Sequence, residues 1–166
     1  MRSQKHSVAI GNGGFTLIEM MVVVAIIAIL AMIAMPNTQD RFIRNQIVEA
    51  VPLADIAKQP IAQAWTTLHV LPTDNASIGL PVPDKIVNNY IQSVAVDNGA
   101  IHITFGNRAN GLIKGKMLTL RPAVVADAPV VPITWVCGAA AAPEPMTVKG
   151  TDRTTVDARY LPLNCR

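Results

Sequence analysis

Apolar or hydroxyl-bearing residues fill the chain from Phe15 to Met35 with one exception, Glu19, and the run is bounded by Gly13-Gly14 on one side and Pro36 on the other. As a helix these 21 residues would be about 31 Å long, the thickness of a hydrocarbon core. A lone acid in such a span is costly unless it is paired, which makes Glu19 the first candidate functional residue. Beyond Pro36 the pattern becomes one-sided. Ile43, Ile47, Ala50, Ala54, Ala57, Ile61, Trp65 and Leu68 recur every three or four residues, with Asp40, Arg41, Arg44, Asn45, Glu49, Asp55, Lys58 and Gln63 mostly off the stripe. That period predicts an amphipathic helix with something packed on one side. Pro52 and Pro60 interrupt it, each at about 3 kcal/mol if the helix is continuous. The prediction is a bent helix, with a break near Pro60 as the alternative.

Leu71–Asp84 contains Pro72, Gly79, Pro81 and Pro83 and predicts a connecting loop. After it the period falls to two. Asn98-Gly99 suits a type I′ hairpin turn, because both positions accept positive φ. A two-residue turn there pairs Val96 with Ile101, Val94 with Ile103 and Gln92 with Phe105. The valines, isoleucines and Phe105 then share one face fit to cover the helical stripe. His102 falls opposite Ala95 on the other face, where a surface position is expected. Two further strands are predicted: Lys116–Pro122, with Leu118 and Leu120 opposite Thr119 and Arg121, and Ile133–Cys137, with Ile133, Trp135 and Cys137 together. Gly138–Asn164 reads mostly as loop.

Composition changes this picture little. The net charge is +3, but Arg2 and Lys5 precede Gly13 with no acid beside them, so the chain from Phe15 onward carries 12 basic and 11 acidic residues. The basic candidates for nucleic-acid contact, Lys114, Lys116, Arg121, Lys149, Arg153, Arg159 and Arg166, are scattered among acids, a weak footprint. Cys137 and Cys165 enclose 27 residues, too many for a redox C-x-x-C motif. A cationic start before an apolar helix places the amino end in the cytoplasm and the remainder outside it. That compartment permits disulfides. A bridge would stabilise by about 3–4 kcal/mol on the chain-entropy model; two free buried thiols are the alternative.

No catalytic, metal or cofactor site is expected. His69 and His102 are 33 positions apart with no ligand spacing around them. The glycines at Gly111 and Gly115 before Lys116 are one residue short of a phosphate loop, and Met117 stands where the hydroxyl is needed. A secretory signal needs a shorter core and a small-x-small cut site; the alanines here recur every third residue without Ala-x-Ala. An uncut signal anchor remains as an alternative.

Gly14, Phe15, Thr16, Leu17, Ile18 and Glu19 together resemble the prepilin cleavage and methylation motif of type IV pilins and their relatives. The resemblance implies cleavage after Gly14 by a prepilin peptidase, N-methylation of Phe15, and a role in assembly for Glu19 with Phe15. The new amine of Phe15 would carry a positive charge near neutral pH. It would complement Glu19, one turn further along the same helix, within one subunit or between neighbours. Pro36 matches a proline common in the family, where a helix kink is expected. Trp135-Val136-Cys137-Gly138 and Leu161–Arg166 resemble the edges of the pilin carboxy-terminal loop, which implies a Cys137–Cys165 disulfide. Ile56 is a departure, since many relatives carry a second proline there.

The expected fold class is therefore α+β: a long amino-terminal helix, apolar then amphipathic, packed on an antiparallel sheet of about four strands, with a disulfide-closed carboxy-terminal loop. The expected segments are a leader over 1–14, a transmembrane and assembly half-helix over 15–36, an amphipathic half-helix over 37–69, and a globular head over 70–166. The implied function is a structural subunit of a type IV pilus, not an enzyme. It would be single-pass in the inner membrane before assembly and in an extracellular filament afterwards, with adhesion, motility or DNA uptake as filament-level roles. Implied partners are other filament subunits, prepilin peptidase, the inner-membrane assembly machinery and membrane lipid before assembly; support for DNA is weak. A type II secretion pseudopilin and a DNA-binding minor or competence pilin are the alternatives.

Overall fold

A computed structural model describes residues 14–34 and 38–165. Pro36, where the kink is expected, and Arg166 lie outside the described residues. The chain divides into two units, one up to Thr38 and one from Gln39 onward.

The first unit is helix α1, Leu17–Ala34. Its 18 residues span about 27 Å at 1.5 Å per residue. Among the described residues no helix is long and apolar enough to cross a membrane. Phe15 precedes α1 instead of forming its first turn, because Thr16 caps the helix.

The second unit carries the amphipathic stripe as two helices, α2 (Thr38–Ala50) and α3 (Asp55–Leu68), joined by a 3₁₀ turn over Val51–Ala54. The expected bend therefore becomes a change of helix type at Pro52. There a proline at the start of a turn needs no N–H. Pro60 lies inside α3 without ending it. Ile56, whose carbonyl loses its partner N–H at Pro60, is solvent-exposed, so water can take the freed bond. Ile43, Ile47, Ala50, Ala54, Ala57 and Ile61 are fully buried and Trp65 nearly so, as the period predicts, but Leu68 is exposed. Leu68 ends α3, and the exposed His69 follows it in the left-handed conformation of a helix C-cap.

The sheet has five strands: β1 (Ile91–Asp97), β2 (Ala100–Phe105), β3 (Met117–Val124), β4 (Thr134–Cys137) and the short β5 (Thr147–Val148). The first four lie in chain order, and β5 pairs with β3 through Ala123 and Val124. All pairings are antiparallel. The hairpin turn is Asn98-Gly99, both with positive φ. Val96 opposes Ile101 and Val94 opposes Ile103, but Phe105 opposes Ile91, not Gln92. A bulge between Ile91 and Ser93 makes the difference. It turns Ile91 into the core and leaves Gln92 outside, against Gly106, where any Cβ would sit 2.6 Å from that of Gln92.

One face of the sheet meets the helical stripe. Ile91, Val94, Ile101, Ile103, Phe105, Leu118, Leu120 and Cys137 join Ile43, Ile47, Ala54 and Ile61 in a single apolar cluster. The other face is also covered. Gly150–Val156 crosses it: Gly150 approaches Ala100, the Arg153 amide donates to Thr119 Oγ1 (3.0 Å), and the Thr155 amide donates to Met117 O (2.8 Å). His102 is consequently buried, at 2 % exposure, not on the surface. Its Nδ1 lies 3.0 Å from Thr119 Oγ1, and its Nε2 has no hydrogen-bond partner among the described residues. The carboxy-terminal stretch closes the cluster with Val156, Tyr160, Leu161 and Cys165, and Cys137 is bonded to Cys165.

Candidate functional site

Glu19 belongs to a reciprocal cap. The Thr16 amide donates to Glu19 Oε2 at 3.4 Å, and the Glu19 amide donates to Thr16 Oγ1 at 3.3 Å. This is a capping box, which satisfies two of the amide donors that every helix start leaves open. The signal was present in the sequence as Thr16-x-x-Glu19, although the apolar run draws attention to the acid alone. In the uncut chain the carboxylate thus holds its own helix terminus, within hydrogen-bond reach of the residue after Phe15. Phe15 itself is 77 % exposed, and a Cβ at Gly14 would meet nothing. The bond between Gly14 and Phe15 therefore lies in an uncrowded, non-helical stretch.

The rest of α1 offers apolar surface on every side. Its large hydrophobic residues from Leu17 to Ile33 are 43–78 % exposed. A helix apolar all round is suited to burial among other helices or in lipid. Ala25, Ala28 and Ala31 lie every third residue along it and permit close helix approach.

In the second unit, three arrangements shape the outer surface. First, the Cys137–Cys165 bond ties the carboxy-terminal loop to β4. Second, the connecting loop docks on β1 through one side chain that sequence reading did not single out, Asn75. Its Nδ2 donates to Pro81 O (2.9 Å) and Val94 O (3.0 Å), and its Oδ1 accepts from the Val96 amide (2.6 Å). The buried amide thereby stands in for a neighbouring strand along the edge of β1. Third, the scattered cations do not form one face. Arg153 pairs with Asp97 at 2.5 Å, Arg159 with Asp157 at 3.7 Å, and Arg121 donates to Gly138 O at 2.7 Å. Among the described residues no group of His, Cys, Asp and Glu is placed to hold a metal ion.

Comparison with known proteins agrees with this arrangement. Residues 44–166 match the pilin family of bacterial filaments, and residues 11–35 match the prokaryotic N-terminal methylation motif. The chain belongs to the type IV pilin family. It is 34 % identical over 164 residues to a type IV major pilin protein PilE of Neisseria gonorrhoeae, covering 92 % of this chain and 93 % of that one. The fimbrial protein EcpC of Eikenella corrodens is 37 % identical over 158 residues, with 92 % and 90 % covered. The type IV major fimbrial protein FimA of Dichelobacter nodosus is 30 % identical over 172 residues, with 92 % and 96 % covered. This pilin is a structural protein of the pilus filament, and the secretion-pseudopilin and DNA-binding alternatives are not favoured over that role.

Proposed function

We propose that this pilin is stored in the inner membrane, with residues 1–14 as a cytoplasmic leader and Phe15–Met35 as its span. Prepilin peptidase cuts it after Gly14, Phe15 is N-methylated, and assembly machinery moves it into a homo- or hetero-polymeric filament through α1. The observation that supports this most strongly is a helix with apolar surface on all sides and a single acid at its start, inside the stretch matching the methylation motif. In lipid or in a filament core, Glu19 needs a counter-charge. The Phe15 amine, created only by cleavage, supplies one. Before the cut, Glu19 caps its own helix; afterwards a neighbour's amine competes for the same carboxylate, so the pair sets the register of each added subunit. Lipid is as apolar as leucine, so packing and this charge pair, not hydrophobicity, supply the preference for filament over membrane. A head-to-tail contact that does not close on itself yields an open fibre.

The test is Glu19→Val. Cleavage after Gly14 is expected to persist while pilin disappears from the sheared-filament fraction; normal filament yield would refute the pairing. Mass analysis of native filaments is expected to give a chain starting at methylated Phe15, and a chain starting at Met1 would refute processing.

A further inference from the structure

The β2–β3 loop, residues 106–116, carries cations and no acid of its own. The sequence from Asn98 to Ala126 contains no Asp or Glu, and within it Arg108, Lys114 and Lys116 are all exposed. Among the described residues no carboxylate lies within salt-bridge distance of any of the three. Between them stands Leu112, 50 % exposed, while its neighbour Ile113 is fully buried and anchors the loop in the core. The loop is built, not slack. The Ala109 amide donates to Gly106 O (2.8 Å), the Ile113 and Lys114 amides to Asn110 O (2.9 Å each), and the Gly115 amide to Phe105 O (2.8 Å). A Cβ at Gly111 or Gly115 would meet nothing, so the tip projects into open space.

Its place in the head is defined by a bond from the Asn110 amide to Gln46 Oε1 on α2, at 2.9 Å. The opposite end of the sheet is the Asn98-Gly99 turn, where the Gly99 amide donates to Pro72 O beyond α3 (2.8 Å). The loop therefore sits beside the third turn of α2. The two turns before it carry Arg41, which is exposed, and Arg44, whose Nη2 donates to Arg159 O. The acids of α2 are Asp40 and Glu49, and Asp157 is paired with Arg159.

We propose that this loop, with Leu112 at its tip and Arg108, Lys114 and Lys116 around it, docks on anionic phospholipid headgroups at the outer surface of the inner membrane. This rests on the membrane-stored stage proposed above. The chemistry fits one partner: cations attract an anionic lipid surface, an apolar tip enters the interfacial layer, and long basic side chains reach back to phosphates. Docking holds the head at the membrane before assembly, and it is surrendered when α1 leaves the bilayer. Loss of these contacts therefore opposes extraction, and anionic lipid content tunes how readily a subunit is released.

The test uses the full chain reconstituted at low density in vesicles of phosphatidylcholine alone or with phosphatidylglycerol. Because Cys137 and Cys165 are bonded to each other, Leu112→Cys provides a single thiol for an environment-sensitive fluorophore. A blue-shifted emission is expected with phosphatidylglycerol only. Lys114→Glu with Lys116→Glu is expected to abolish the shift, and each cation neutralised to Gln is expected to lower the headgroup-bound fraction about fivefold. Both lysines are exposed, so the charge changes leave the fold intact. Equal emission in both lipid compositions, or a shift insensitive to the charge reversal, overturns the proposal. A shift produced by duplex DNA in phosphatidylcholine vesicles reassigns the loop to nucleic acid and also overturns it. Failure of the chain to float with either vesicle type refutes membrane storage itself, whereas equal emission after flotation refutes only the headgroup contact.

Discussion

Helix α1 and the α2–α3 run draw on the same kinds of apolar residue but meet opposite fates. In α1 no side is polar, and every large hydrophobic residue stays exposed. In α2 and α3 a single stripe is apolar, and the same chain supplies the sheet that covers it. A helix with one apolar face can be satisfied by its own domain, whereas one apolar all round needs lipid or many other helices. The head is therefore self-sufficient and α1 is not. That division is what the proposed passage from membrane to polymer requires, since the head would not refold between the two stages.

The sharpest break of this comparison is a matched pair of substitutions. Ile47→Ala is expected to lower head stability by about 4 kcal/mol, as for a fully buried isoleucine. Ile27→Ala, in α1, is expected to leave it unchanged in denaturant titrations of the detergent-solubilised chain. A comparable loss from Ile27→Ala would show that the head depends on α1. The disulfide comes next. Cys137→Ser with Cys165→Ser is expected to cost about 3 kcal/mol, read as a lower denaturation midpoint; an unchanged midpoint would show that the 150–165 segment holds without the bond.

Asn75→Ala should cost about 2 kcal/mol, because a buried amide and two carbonyls lose their partner. Its particular signature is faster proteolysis within the connecting loop, with α1 unaffected; unchanged proteolysis would mean the loop is held by its apolar contacts instead.

The smallest effect is pH-dependent. Burial first, then Arg153, push the His102 pKa below its ordinary 6.5, while Asp97 and Asp152 act the other way. The unfolded chain thus binds more protons than the folded head just below that pH. Stability is complete above about 6.5 and falls as the pH drops through the window between the unfolded and the lowered folded pKa. His102→Gln is expected to flatten that part of the melting-temperature profile. An unchanged profile would assign the acid sensitivity to carboxylates.

Much of this was legible because local patterns carried it. The 3.6-residue stripe from Ile43 to Trp65 and the Asn98-Gly99 turn depend on neighbours a few residues apart, and so does the motif around Gly14 and Glu19. The misplacements came from long-range partners. Alternation places Gln92 opposite Phe105 because it is blind to a bulge. It places His102 on the surface because the covering segment, Gly150–Val156, lies far later in the chain in a stretch with no strand-like period. Asn75 carried no signal beyond being a loop asparagine.

The sequence by itself determined that α1 is apolar throughout, that Glu19 is its single charge, and that a stripe and an alternating sheet would close on each other. Periodicity and unpaired charge are properties of adjacent residues, so no fold is needed to see them. Tertiary structure alone decided that both faces of the sheet are covered and that an amide side chain seals the edge of β1. It also decided that the acid-free loop stands beside the third turn of α2. Those facts depend on which distant segments meet, and that is set by the packing of the whole head.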